Sequence, residues 1–281
     1  MNFGICALSI VPVRSSASDK SEMVSQLLFG ETVEILEKKG TWAKVRCSWD
    51  NYIGWIDIKQ VKIITPSEFK TYEKNHSCSL ELVQPAISDE FYLPITLGSN
   101  LPNYDGIRFS INGSNFTFSG QVITPLQIEP NADLVIKIAR RYLYAPYLWG
   151  GRSPLGIDCS GFTQVVFKLV GLNIPRDAFE QVEKGELIDF IEQTQDGDLA
   201  FFENRKGKIS HVGIILPEGH IIHASGQVRI DKIDHYGIFN TEKEKYTHRL
   251  RVIKRILPPA AKQASTPEDI ALPDENQVKM F

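Results

Sequence analysis

One stretch constrains this chain more than any other: Tyr147-Leu148-Trp149-Gly150-Gly151-Arg152-Ser153-Pro154-Leu155-Gly156-Ile157-Asp158-Cys159-Ser160-Gly161-Phe162. Its glycines and proline predict a loop. Directly after it, Phe162, Val165, Val166, Leu169 and Val170 fall at helical spacing, and Gly171 stands where a helix C-cap belongs. Cys159 therefore enters the first turn of a helix. Unpaired N–H groups and the positive end of the helix dipole favour the thiolate there, the form of cysteine that attacks carbonyls. The backbone N–H of Cys159 becomes one donor for an oxyanion.

A nucleophile of this kind needs a base. His211 opens the run His211-Val212-Gly213-Ile214-Ile215-Leu216, and Pro217-Glu218-Gly219 turns the chain into His220-Ile221-Ile222-His223. In a hairpin, paired residue numbers have a constant sum. An even sum puts His211 and His223 on one face, and an odd sum separates them. Both strands are apolar on both faces, so the pattern leaves the register open. With an even sum, His211 can take the thiol proton and His223 can fix its tautomer, beside a thiolate–imidazolium pair that already exists. His220, three residues from His223, falls on the opposite face. His76, His235 and His248 are read as surface residues, and Cys6, Cys47 and Cys78 as buried, inert thiols.

The rest of the 281 residues divides by pattern. Residues 1–66 read as short strands about ten residues apart, including one over 3–13 that ends in Pro12, which suggests a small barrel. Residues 67–130 are rich in Pro, Gly, Asn and Ser, with a hairpin signal at Asn112-Gly113. From residue 131, helical spacings over 132–144, 162–170 and 177–184 precede strands near 198–202, 211–216, 221–224, 227–230 and 249–257, an α+β order. Residues 258–281 read as a disordered tail. A net charge of −3, with no Lys/Arg cluster, disfavours nucleic acid as a partner, and no apolar run is long enough to span a bilayer. Met1-Asn2-Phe3-Gly4-Ile5-Cys6 has no leader pattern, so the expectation is a cytoplasmic protein, periplasmic or secreted if a leader has been removed. A monomer is plausible.

Phe29-Gly30-Glu31, Gly40-x-Trp42-x-Lys44-Val45 and Gly54-Trp55-Ile56 resemble a bacterial SH3-like domain, which implies Trp42 and Trp55 in the barrel or its groove. Residues 67–130 are read as a second, degenerate copy. The Tyr-x-Trp-Gly-Gly lead-in, Asp158-Cys159-Ser160-Gly161-Phe162, Ser210-His211-Val212-Gly213-Ile214 and His223 resemble the NlpC-type papain-like murein peptidases. The resemblance implies a papain-like α+β domain over 131–257, with helices packed on an antiparallel sheet, behind one or two all-β SH3-like barrels. It implies a γ-D-glutamyl-diamino-acid endopeptidase acting on murein peptides with a free N-terminal L-alanine, in cell-wall peptide recycling and without a metal or other cofactor. By the same resemblance, Cys159, His211, His223 and Tyr147 are catalytic, with Tyr147 at the oxyanion. Asp158, Ser160, Trp149, Arg176, Asp177, Glu22 and Tyr52 are substrate contacts, and Trp55 is a further candidate. Ala178 stands where relatives often carry Ser.

Three other readings compete. Cys159, His211 and His223 could ligate zinc, although a cysteine at a helix mouth has no need of one. The same Cys-His pair could pass its acyl group to an amine or lipid instead of water. The barrels could make the chain a non-catalytic wall-binding module, against which the intact Cys159, His211 and His223 argue.

Overall fold

The computed structural model describes residues 2–259. The proposed tail from Pro258 therefore lies, from residue 260 on, outside the described residues.

Alternating apolar residues build the first unit from β1 (Asn2–Cys6), β2 (Ile10–Arg14), β3 (Met23–Leu28), β4 (Thr32–Lys39), β5 (Trp42–Cys47), β6 (Ile53–Asp57) and β7 (Val61–Ile64). These form one seven-stranded antiparallel sheet in the order β3-β2-β6-β5-β4-β1-β7. The single strand expected over 3–13 is two strands, broken at Ala7–Ser9. Val11, Val13, Ala43, Val45 and Ile56 fill the core. Trp42 and Trp55 alternate with these residues and are only half-buried, so neither is a core residue.

Residues 67–130 begin with a helix that the strand-based reading missed, α1 (Pro66–Lys74). Pro66 stands at its first position, and Thr65 and Glu68 cap each other's backbone N–H groups. Two small sheets follow. One is ordered β10 (Tyr92–Thr96), β9 (Val83–Ile87), β13 (Ser114–Thr117), β12 (Arg108–Ile111), and the other β11 (Asn100–Pro102), β8 (His76–Ser79), β14 (Val122–Ile123). Their aromatic core of Phe109, Phe116 and Phe118 also takes in Ile5, Phe29 and Ile64 of the first unit, so the two units share apolar packing.

The last unit carries α2 (Ala132–Arg141), a short hairpin of β15 (Arg152–Ser153) and β16 (Gly156–Ile157), α3 (Cys159–Leu169) and α4 (Ala178–Gln181). The helices pack on an antiparallel sheet of β17 (Glu186–Ile188), β18 (Leu199–Glu203), β19 (Ile209–Leu216), β20 (His220–Ser225), β21 (Gln227–Ile233), β22 (Gly237–Asn240) and β23 (Lys245–Arg255), in the order β17-β23-β18-β19-β20-β21-β22. Because β22 also pairs with β23, the sheet closes on itself. Alternation then sorts its side chains. Leu199, Phe201, Val212, Ile214 and Ile222 meet the helices, while Ala200, Phe202, Ile215, Ile221 and Ile238 fill the interior.

Helix α3 is buried along its whole length, beyond its apolar stripe, because the first unit covers its other side. Its Lys168 Nζ reaches Glu31 Oε1 at 2.7 Å, and Arg152 bonds both Glu31 oxygens at 2.7 and 3.0 Å. All three charged groups are buried. Burial alone would raise the Glu31 carboxyl, but the two cations hold it down at about 2.

Candidate active site

The loop before α3 is shaped by close approaches. Gly150 has φ +76°, and a side chain there would collide with the Met23 carbonyl; one at Gly161 would collide with the Gly151 carbonyl. Asp158 is the N-cap of α3. Its carboxylate accepts from Gly161 N at 2.7 Å and Gly150 N at 2.8 Å, and from Arg176 at 2.6 and 3.0 Å. Arg176 also donates to the Ser160 hydroxyl at 2.9 Å.

These bonds give Arg176 and Asp158 a structural part. Arg176 is 1% exposed and is not among the residues lining the cleft, and it braces Asp158 and Ser160. Asp158 borders the cleft, yet both its oxygens are committed to holding the loop on the helix.

Cys159 opens α3 at one wall of a cleft of about 280 Å³. Tyr147, Trp149, Ser160 and Asp177 line it from the same unit, and Glu22 and Tyr52 line it from the first. Trp149 Nε1 donates to Glu22 Oε1 at 2.6 Å across that junction. The Tyr52 hydroxyl is directed at Asp177, whose carboxyl is raised by burial. Trp55 is not among the lining residues. The Ala178 methyl is, and it leaves that point without a hydroxyl.

Gly213 pairs with His223, an even sum, so His211 and His223 share a face of the sheet as diagonal neighbours. Glu218 and Gly219, both at positive φ, make the connecting turn. His211 Nε2 lies 2.8 Å from His223 Nδ1. The His211 Nδ1 forms no hydrogen bond among the described residues and is the nitrogen left for a thiol. Opposite Phe202 and Glu203, the ladder skips Ser210, a bulge that re-aims the start of β19 where His211 stands. The Val212 backbone, one residue on, faces the Cys159 thiol.

Burial shifts both the thiol and the imidazole in the direction opposite to a preformed ion pair. Burial, then the Asp158 charge, pushes the Cys159 thiol up to about 12, against the opposing pull of the Val212 and Ser160 N–H groups. Burial, with His223 and His248 beside it, drives His211 well below the usual imidazole range. Desolvation thus works against the helix end, favouring the neutral thiol and the neutral imidazole over the charged pair. Burial also raises the Tyr147 phenol, to about 12, so it is a hydroxyl donor at neutral pH.

Two residues of the histidine cluster's surroundings escaped the sequence reading. His248 is no free surface residue: its ring stacks on His211 with centroids 4.1 Å apart. Asp231 accepts from His223 Nε2 at 3.0 Å and is gripped by Arg229 at 2.8 and 3.0 Å. The tight Ser225-Gly226-Gln227 connection was the available signal for Asp231. It pairs Ile221 with Asp231 and so sets Asp231 diagonal to His223. Imidazole nitrogens of His211, His223 and His248 come within 4.8 Å of one another. Both nitrogens of His223 are already engaged, however, so a metal there would dismantle the hydrogen-bonded chain.

Comparison with known proteins gives this geometry its setting. The model of the NlpC/P60 family matches residues 144–248, and that of the bacterial dipeptidyl-peptidase SH3 domain matches residues 13–61. A γ-D-glutamyl-L-lysine dipeptidyl-peptidase of Bacillus cereus is 30% identical over 240 residues, 74% of this chain and 68% of that one. Its counterpart in Bacillus subtilis is 31% identical over 221 residues, 71% of each chain. The chain belongs to the NlpC/P60 family. A crystal structure of an NlpC/P60 family protein from Bacillus cereus shares the fold, with TM-score 0.79 at 23% identity over 91% of this chain and 100% of that one. The chain is thus an NlpC/P60 cysteine peptidase with an SH3-like domain ahead of its catalytic unit.

Proposed function

We propose that this NlpC/P60 peptidase hydrolyses the γ-D-glutamyl bond of peptidoglycan peptides that begin with a free L-alanine, releasing L-Ala-D-Glu from a diamino acid. The observation that carries the reading is one cleft shared by Cys159 and two carboxylates, Glu22 and Asp177, that come from different units. A peptide ammonium placed between Glu22, Asp177 and the Tyr52 hydroxyl gains charge-assisted hydrogen bonds. A chain extended beyond that amine would meet the first unit, so the γ-carbonyl two residues along is the one that falls to Cys159. The names of the Bacillus relatives favour L-lysine as the diamino acid.

In the acylation step the Cys159 sulfur bonds to the γ-carbonyl carbon as its proton passes to His211 Nδ1. The Cys159 N–H and the Tyr147 hydroxyl donate to the developing oxyanion. His211 then protonates the departing amine as the C–N bond breaks, leaving a thioester. Water, losing a proton to His211, displaces the sulfur, which recovers that proton. Recycling of imported wall fragments in the cytoplasm fits a free-amine substrate, because intact wall carries that alanine acylated. Cell fractionation tests the location, and recovery of the native protein in the medium would contradict it.

The decisive assay incubates the full chain with L-Ala-γ-D-Glu-L-Lys, its diaminopimelate counterpart and the N-acetylated form of each, and reads products by mass. Release of L-Ala-D-Glu from the free-amine peptides alone is the expected result. Equal cleavage of the acetylated peptides would overturn the amine requirement, and no cleavage of any peptide would overturn the substrate.

A further inference from the structure

The hydrogen bonds behind His211 fix where its proton sits as well as where its ring lies. One proton lies between His211 Nε2 and His223 Nδ1, and one between His223 Nε2 and Asp231 Oδ2. Burial would raise the Asp231 carboxyl, but the hydrogen bonds from His223 and Arg229 hold it below the usual carboxylate range. An ionised carboxylate can only accept. The second proton therefore belongs to His223 Nε2.

His223 is buried, and burial lowers its pKa despite Asp231, so the ring is neutral and carries that one proton. Its Nδ1 is bare and must accept from His211 Nε2–H. The neutral His211 ring then has a bare Nδ1, the nitrogen a base needs to receive the Cys159 proton. We infer that Asp231 is a positioning residue: acting through His223, it selects the tautomer in which His211 can serve as a base. Without Asp231 the opposite arrangement satisfies the His–His bond equally well. His223 Nδ1–H would then donate to His211 Nε2, and the His211 proton would sit on Nδ1, where it blocks proton transfer from sulfur.

Arg229 makes the device directional. It grips both Asp231 oxygens, at 2.8 and 3.0 Å, and is itself tied to Glu242 at 3.1 Å. The carboxylate cannot rotate away from His223, and its charge is largely offset, so Asp231 works by placing a proton more than by its field.

This inference rests on His211 being the base. Its test is ¹⁵N NMR of the histidine side chains in the full chain at neutral pH. The wild type should show His211 protonated at Nε2 and bare at Nδ1, with His223 in the same tautomer. Asp231→Ala should show mixed tautomers at both rings, with kcat on the tripeptide lowered at least ~10-fold and KM within about twofold, as for removal of an orienting partner. A wild-type His211 protonated at Nδ1 would overturn the proposal, as would a folded Asp231→Ala protein with unchanged tautomers and kcat. If Asp231→Ala does not fold, the wild-type spectrum alone decides. The spectrum needs no turnover, so a wrong substrate would leave it unaffected and would show instead as an inactive wild type with the expected tautomers.

Discussion

Trp149 Nε1 donates to Glu22 Oε1 at 2.6 Å, a bond between residues 127 positions apart that both line the cleft. Glu22 thus has an indole partner on one side and, on the proposed reading, a substrate ammonium on the other. Glu22→Gln removes the charge and keeps an oxygen that can accept from Trp149. KM for the free-amine tripeptide should rise at least about fivefold while kcat changes less, in line with the loss of one charge-assisted hydrogen bond. Steady-state kinetics check this, and an unchanged KM would remove Glu22 from amine recognition.

Cys159→Ala should lower kcat by about 10⁴-fold or more, the scale seen when a covalent nucleophile is removed. The helix cap rests on Asp158 and the packing on Phe162 and Val165, so circular dichroism and the melting temperature should stay near the wild type. Residual turnover above a tenth of wild type would deny Cys159 its role.

The pH profile follows from a neutral resting pair. Catalysis then needs His211 unprotonated and Cys159 protonated. The first condition fails only well below pH 6.5, and the second only near pH 12. kcat should therefore be flat from about pH 6 to pH 9. Alkylation of Cys159 by iodoacetamide should climb about tenfold per pH unit across the same range, because only the thiolate reacts. An alkylation rate already on a plateau at pH 7 would instead indicate a preformed ion pair.

Glu31 joins the two halves through Arg152 and Lys168. Glu31→Gln leaves two buried cations short of a counter-charge and should cost about 3–5 kcal/mol, measured by denaturant unfolding. Because the folded-state carboxyl titrates near 2, below its ordinary 4.5, its contribution is fully present above about pH 4.5 and is lost as pH falls toward 2. In the Gln variant the acid-induced loss of stability over that window should be smaller than in the wild type.

Dialysis against a chelator should leave turnover unchanged, since both nitrogens of His223 are already committed to hydrogen bonds with His211 and Asp231. Activity lost to the chelator and restored by zinc would show that those imidazoles hold a metal in the working enzyme.

What the sequence revealed was mostly local. The loop, cap and nucleophile around Cys159 lie within sixteen consecutive residues, and short-range chemistry dictates their shape. The His211–His223 pair was half legible: a hairpin was evident, but the register came from packing that no alternation encoded. His248 went unseen because it lies where β23 pairs with β22, a strand that was not recognised, and Asp231 because the tight turn that sets it diagonal to His223 was not followed through. The first helix was missed although Thr65, Pro66 and Glu68 spelled out its start, because the surrounding glycines and prolines suggested turns.

The buried charges at the domain junction also bear on how such a chain could arise or be re-engineered. Lys168 sits in the nucleophile's own helix and Arg152 in the loop before it, and both neutralise an acid from the neighbouring barrel. A gene fragment encoding only the hydrolytic half would leave those cations without their anion. Unrelated binding modules could not be spliced on in the barrel's place without repainting that helix. The barrel and the peptidase are in this sense one inheritance, transmitted together or rebuilt together.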